Sequence, residues 1–235
     1  MTGGLGGIGM AVGRAFASEG ASVLLVDVRP DGGAAIAELI AAGAPKALSI
    51  TADISDETSV ARAVETAMSA FGALDVIVNV AGMMIYKPIA ELVAEDWRRL
   101  LDINFVGAAL FTGHALRTMK PGGCVVNIAS VHARRTTALV APYAAAKAAL
   151  VSLTRSAAIE GKPLGIRVNA VLPGAIDTPM LRESPAIKSG AEVLDEADIG
   201  QPEDVAAVAV FLASDAARFI TGEDVVADSG RMGRL

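Results

Sequence analysis

Tyr143 and Lys147 stand four positions apart in Tyr143-Ala-Ala-Ala-Lys147. On a helix, positions i and i+4 share a face, so an ammonium would lie beside a phenol. A cation there favours phenolate and lowers a pKa that is normally about 10. That is the equipment of a general acid/base for an alcohol or a ketone. Ser130 comes 13 residues before the tyrosine, at the end of the apolar run Cys124 to Ala129. Its hydroxyl could bond the same substrate oxygen; a simple turn-capping role would also account for it.

A second cluster opens the chain: Thr2-Gly3-Gly4-Leu5-Gly6-Gly7-Ile8-Gly9. It fits both GxGxxG (Gly4, Gly6, Gly9) and TGxxxGxG (Thr2, Gly3, Gly7, Gly9). In either pattern no side chain shields the backbone N–H groups from a pyrophosphate, and a helix N-terminus faces it. Asp27 follows Gly7 by 20 residues and ends Ser22 to Asp27 (SVLLVD). An acidic side chain there accepts hydrogen bonds from ribose hydroxyls and repels a 2′-phosphate. No Lys or Arg lies in the glycine loop, so NAD is expected over NADP, although Arg29 blurs the preference.

The elements that must position these residues are legible as alternation. Nearly unbroken apolar runs read as strands covered on both faces: Ser22–Asp27, Lys46–Thr51, Leu74–Asn79, Cys124–Ala129, Ile166–Leu172 and Asp224–Ala227. Helical patterns lie between them: Gly9–Glu19, Asp56–Phe71 with Ser55 as N-cap, Trp97–Met119 ended by Pro121-Gly122-Gly123, Tyr143–Glu160, and Pro202–Ala213 with proline at a favourable first position. Strand–helix alternation predicts an α/β fold, a doubly wound Rossmann-type parallel sheet in one domain spanning 1–235. The beginning is abnormal. A phosphate loop normally follows a strand, yet only Met1 precedes Thr2, so the first, central strand is missing. About five buried aliphatic side chains at ~1.5–3 kcal/mol each compare with a net domain stability of ~5–15 kcal/mol. The sequence therefore reads as an N-terminally truncated or mis-started version of a longer protein.

Composition narrows the function classes. A formal charge of −6 lacks the basic footprint of a nucleic-acid binder. With 53% hydrophobic and 20% charged residues, general disorder is excluded. One cysteine allows no internal disulfide, and with only two histidines no metal site is expected. No uncharged run reaches ~18 residues and no signal-peptide pattern opens the chain, so no membrane association and a cytoplasmic location are expected.

In order and spacing, TGxxxGxG, the acidic strand end, Asn79-Val-Ala-Gly82, Asn104, Ser130, Tyr143-xxx-Lys147 and Pro173-Gly174 closely resemble the short-chain dehydrogenase/reductase family, from Thr2 to Asp228-Ser-Gly230. The resemblance implies hydride transfer between NAD(H) and a secondary alcohol or ketone. It implies that Tyr143 is the proton donor or acceptor, that Lys147 binds the nicotinamide ribose and depresses the tyrosine pKa, and that Ser130 polarises the carbonyl. Asn104 would hold a water linking Lys147 to solvent; a helix-kink role for it stays open. Gly3, Gly7, Ile8 and Gly9 would hold the pyrophosphate and Asp27 the ribose. Asp53 and Ile54 would border the adenine, while Asn79, Ala81 and Gly82 line the cleft. Pro173, Gly174, Ile176 and Thr178 would surround the nicotinamide. A homo-oligomer, dimer or tetramer, is also implied, through the two long helices. The family's second Asn is Val80 here, and its closing Asp-Gly-Gly is Asp228-Ser229-Gly230.

Substrate identity is thinly written. The loop Val131 to Pro142 carries Arg134 and Arg135, whose guanidiniums could hold a carboxylate or phosphate, and His132, which could serve as an auxiliary proton group; an ordinary solvated loop would also account for all three. Residues 179–200 read as a substrate lid, with Met180 and Leu181 as its apolar face. Competing readings are an NADPH-dependent 3-oxoacyl thioester reductase, which Asp27 opposes, and a nucleotide-binding or interaction protein without turnover.

Overall fold

Every residue of β1 (Val23–Asp27) and of β4 (Cys124–Ile128) is buried. These are runs without polar alternation, and helices cover both of their faces. The structure, a computed structural model, describes residues 1–30, 32–190 and 193–231; residues 191 and 192 of the expected lid lie outside these. The remaining strands are β2 (Ala47–Thr51), β3 (Val76–Asn79), β5 (Arg167–Pro173), the short pair β6 (Ala175–Ile176) and β7 (Ile199–Gly200), and β8 (Asp224–Ala227). The helices are α1 (Gly7–Ser18), α2 (Gly33–Ala41), α3 (Glu57–Phe71), α4 (Ala94–Leu101), α5 (Gly107–Thr118), α6 (Ala141–Gly161), the single turns α7 (Pro179–Arg182) and α8 (Pro185–Lys188), and α9 (Pro202–Ala213).

All main-sheet pairings are parallel, in the order β2-β1 and β3-β4-β5-β8. Alternate residues of one strand serve the two helical layers. Val125 packs with Val64 of α3, Phe111 of α5 and Ala157 of α6. Its neighbour Val126 packs with Val12 of α1 and with Val205 and Leu212 of α9. This is the expected doubly wound α/β domain.

Met1 and Thr2 join the two halves of the sheet. The Met1 amine donates to the Leu24 carbonyl (2.7 Å), Val26 N–H donates to Met1 O (2.8 Å) and Thr2 N–H donates to Val78 O (3.1 Å). Thr2 bridges Val26 on one side and Asn79 on the other. Beyond them, no strand among the described residues lies between β1 and β3. A slot of about 360 Å³ remains, lined by Leu24, Val26, Ala67, Ile77 and Phe111 among others. Burial there pushes the Met1 amine down to about 5.

Three local details differ from the sequence reading. The N-cap of α3 is Asp56, which accepts from Ser59 N–H (2.9 Å); Ser55 instead donates through both its backbone and its hydroxyl to Asp53 Oδ1. The long helix expected from Trp97 starts at Ala94 and contains a π turn, Asp102–Val106, between α4 and α5. Helix α2, which buries only Leu39, carries too short an apolar stripe to stand out in the sequence.

Candidate active site

Because the strands are parallel, their carboxyl ends gather along one edge, and Asp27, Asn79, Ser130 and Pro173 all sit there. The glycine loop runs beneath. Gly3 adopts φ +59°, a Cβ on it would press on Ala81, and a Cβ on Gly9 would collide with the Gly3 carbonyl. The loop is thus glycine by necessity, and it feeds directly into α1. That helix has Gly6 as N-cap, no side-chain cap and no acidic residue in its first turn. Its opening amides remain available to an anion. Thr2, almost fully buried, accepts from the N–H groups of Val80 (3.0 Å) and Ala81 (3.1 Å), tying the loop after β3 to the glycine loop.

A cleft of about 870 Å³ opens above this floor. Gly3, Gly7, Ile8, Gly9, Asp27, Asp53, Ile54, Ala81, Gly82 and Thr178, all cofactor candidates of the sequence, line it. Asn79, Pro173, Gly174 and Ile176 do not form its wall. Asn79 is buried, donating to Asn127 Oδ1 (2.8 Å), and its own Oδ1 has no partner among the described residues. Gly174 packs so closely on Asp228 that a Cβ would clash. Ile176 is buried, and Thr178 donates to its carbonyl (3.2 Å).

Tyr143 and Lys147 lie on the first turns of α6, where Pro142 helps to start the helix, and both are buried. Lys147 Nζ donates to the Ile128 carbonyl (2.8 Å) at the end of β4 and lies 5.7 Å from the Tyr143 ring centre. Ser130 follows β4, where its hydroxyl draws the Tyr143 pKa downward; its Oγ accepts from His132 N–H (3.2 Å). Asn104 sits in the π turn, where its amide donates to Leu100 O and Met83 O (both 3.0 Å) while Oδ1 accepts from Met83 N–H (3.1 Å). Gly82 lies where any Cβ would press on Asn104 Oδ1 and approach Lys147 Nζ. The four candidate catalytic side chains thus converge behind the glycine of Asn79-Val-Ala-Gly82.

Burial shifts the two titratable groups in opposite directions. Burial pushes Tyr143 up to about 12, and the group that draws it downward is Ser130 rather than Lys147; the nearby Tyr86 adds to the rise. Burial pushes Lys147 down to about 8. Desolvation therefore dominates both groups, raising the phenol and lowering the amine.

The loop cations have defined places. Arg134 donates through Nε (3.0 Å) and Nη2 to Asp224 Oδ2, and Arg155 donates to Oδ1 (2.9 Å). His132 meets the Tyr143 ring edge-on at 5.8 Å between centres, with Nδ1 3.0 Å from Thr136 Oγ1. Arg135 is exposed. The sequence reading missed two walls. Glu95, Arg99, Asp102 and Ile103 face the cleft, a helical spacing that was there to be read ahead of Asn104. Met83, Met84, Ile85 and Tyr86 pack against the cluster of Leu100, Val140 and Tyr143, and their signal was an apolar run directly after Gly82.

The fold and this site define a doubly wound α/β protein in which a glycine-floored cleft lies beside a buried tyrosine, lysine, serine and asparagine. The family described as "Enoyl-(Acyl carrier protein) reductase" matches residues 3–231. The chain is 41% identical over 236 residues to the cis-4-hydroxycyclohexanecarboxylate dehydrogenase of Sinomonas cyclohexanicum, covering 98% of this chain and 94% of that protein. It is 35% identical over 240 residues to 3beta-hydroxysteroid dehydrogenase 1 of Eggerthella lenta, covering 98% and 91%. The crystal structure of levodione reductase superposes with a TM-score of 0.92 at 34% identity, covering 100% of this chain and 96% of that one. The chain belongs to the short-chain dehydrogenase/reductase family and is an NAD(H)- or NADP(H)-dependent oxidoreductase. No helix among the described residues is long and apolar enough to cross a membrane.

Proposed function

We propose that this chain interconverts a ring-borne secondary alcohol and its ketone using NAD(H), with Tyr143 as general acid/base. The observation that carries the reading is the meeting of Ser130, Tyr143, Lys147 and Asn104 beside the glycine-floored cleft. The cleft suits a dinucleotide: its floor leaves no room for a Cβ at Gly3 or Gly9, its helix N-terminus is uncapped, and a carboxylate stands at the far end of β1. When bound, the dinucleotide supplies the hydride acceptor or donor. Gly3, Gly7, Ile8 and Gly9 would hold its pyrophosphate, Asp27 its adenosine ribose, and Asp53 and Ile54 its adenine. Tyr143 removes the hydroxyl proton of the alcohol during oxidation and returns one to the ketone oxygen during reduction. Ser130 donates to the same oxygen, so charge developing there meets two hydroxyls. Lys147, held by the Ile128 carbonyl, keeps a proton reservoir beside the phenol, and Asn104 fixes the Met83 backbone against it.

The substrate class rests on the relatives whose names specify a hydroxycyclohexane or a hydroxysteroid, and on the apolar residues Met83–Tyr86 packed on the cluster that contains Tyr143. His132 and Arg135 are the polar candidates on the substrate side, and Arg134 is proposed to anchor their loop. Residues 179–200 are proposed as the lid; Pro179 and Met180 already face the cleft. The test is a spectrophotometric screen of hydroxycyclohexanecarboxylates, hydroxysteroids and acyclic alcohols with NAD+ and NADP+. Turnover of ring alcohols with NAD+, lost in Tyr143→Phe while NADH still binds, supports the proposal. Equal loss of binding and turnover in that variant sinks the acid/base role.

A further inference from the structure

We propose that Arg29 sets how sharply this chain discriminates between the two dinucleotides, by competing with the adenosine ribose for Asp27. The inference rests on the reading of the cleft as the dinucleotide site. An ionised carboxylate offers about four acceptor positions, and those of Asp27 are all taken. Oδ1 accepts the backbone N–H of Arg29 (3.1 Å) and its Nε (2.9 Å). Oδ2 accepts Leu5 N–H (3.0 Å) and Arg29 Nη2 (3.0 Å). Burial raises the Asp27 pKa, but these hydrogen bonds outweigh it, and the carboxyl is held below its ordinary value.

The donors differ in mobility. The two backbone N–H groups are fixed by the glycine loop and the turn after β1. The guanidinium is not: the Asp27 side chain is 7% exposed, whereas that of Arg29 is 55% exposed. Arg29 can therefore leave without unpacking anything. Its Nη2 lies 3.9 Å from where a Cβ on Gly6 would stand, so it covers the phosphate loop and the carboxylate together.

Ribose hydroxyls that donate to Asp27 must displace this fork. NAD(H) affinity is thus lowered by an internal competitor. A 2′-phosphate meets the opposite balance: Asp27 repels it, but the displaced guanidinium, still within a side chain's reach, offers a charge-assisted partner. Both effects narrow the preference that Asp27 alone would impose.

The test measures dissociation constants of NADH and NADPH by nicotinamide fluorescence, without substrate, for the wild-type chain, Arg29→Ala, Arg29→Lys and Asp27→Asn. Arg29→Ala is expected to tighten NADH and weaken NADPH, widening their ratio roughly three- to tenfold, the scale of a half-exposed ion pair together with one phosphate contact. Arg29→Lys keeps the charge but loses the fork, so it should tighten NADH while largely sparing NADPH. If Arg29→Ala moves both constants equally, or neither, the competition is overturned. Asp27→Asn separates this from the underlying reading: it should weaken NADH, and an unchanged NADH constant there overturns the ribose assignment itself, whatever Arg29 does.

Discussion

Lys147 Nζ lies 5.7 Å from the centre of the Tyr143 ring, yet its hydrogen bond runs to the Ile128 carbonyl, and the group that draws the phenol's pKa down is the Ser130 hydroxyl. The amine and the phenol are both buried, and each is pushed toward its neutral form, the lysine down to about 8 and the tyrosine up to about 12. At neutral pH the phenol is therefore a proton donor, which suits ketone reduction. Alcohol oxidation needs the phenolate.

The rate of oxidation should accordingly climb with pH as the phenolate fraction grows, and Ser130 should set where it climbs. Its hydrogen bond lowers the tyrosine pKa, so Ser130→Ala raises that pKa further and moves the rising limb of kcat/KM to higher pH. A displacement of about one pH unit corresponds to roughly a tenfold slower oxidation at fixed pH on that limb. A profile that keeps its limb and loses only its plateau contradicts this role for Ser130.

Gly9 offers a test of the cleft floor. A Cβ there collides with the Gly3 carbonyl, and Gly3 is itself in the left-handed region at φ +59°. Gly9→Ala must open the turn that aims the first amides of α1. The expected outcome is a loss of about 1–3 kcal/mol in urea-unfolding stability with NADH binding weakened at least tenfold. Gly72→Ala is the comparison: its φ is +80° but nothing lies within 4 Å of a Cβ, so it should cost stability without touching NADH affinity. Equal behaviour of the two variants in the binding assay rules out the cradle.

Much of this was legible in the sequence because the fold buries its strands on both faces. Nearly unbroken apolar runs marked β1, β4 and β5, and strand ends then located Asp27 and Ser130. What stayed hidden has physical causes. The pKa order of Tyr143 and Lys147 depends on how deeply both are buried, which an i, i+4 spacing does not report. The π turn around Asn104 arises because its side chain takes the Leu100 and Met83 carbonyls, a tertiary choice invisible in helix propensity. Arg134 reads as a potential anion clamp until β8 brings Asp224, 90 residues away, against it.

That pairing yields a prediction about the substrate loop. Asp224 has a side chain only 7% exposed and holds Arg134 and Arg155 together. Arg134→Ala leaves the carboxylate paired with Arg155, so the expected cost is about 1 kcal/mol of stability, with KM for any accepted alcohol unchanged within about twofold. A tenfold rise in KM at unchanged stability would instead make Arg134 a substrate contact.

The slot between β1 and β3 makes the last prediction. Its ladder is already begun: Met1 donates to Leu24 and accepts from Val26, while Thr2 donates to Val78, so residues joined ahead of Met1 would continue a parallel strand between two open edges. A version of the chain carrying five aliphatic, β-branched-rich residues ahead of Met1 would place apolar side chains against Leu24, Ile77, Ala67 and Phe111. It would also convert a buried ammonium into an amide. Burial of five such side chains contributes ~1.5–3 kcal/mol each, against ~1–2 kcal/mol per residue for ordering the backbone, which leaves a net gain of a few kcal/mol and a Tm higher by roughly 5–10 °C. The amine adds a pH signature. Its folded pKa of about 5 lies below the ordinary value of about 8 for a terminal amine, so the unfolded state binds more protons between those values and stability of the unextended chain rises with pH across that window. The extended chain lacks the group and should lose that part of the slope. Thermal unfolding of both chains from pH 5 to 8 checks the two effects together, and an extension that leaves Tm unchanged would show that the slot does not accept a strand.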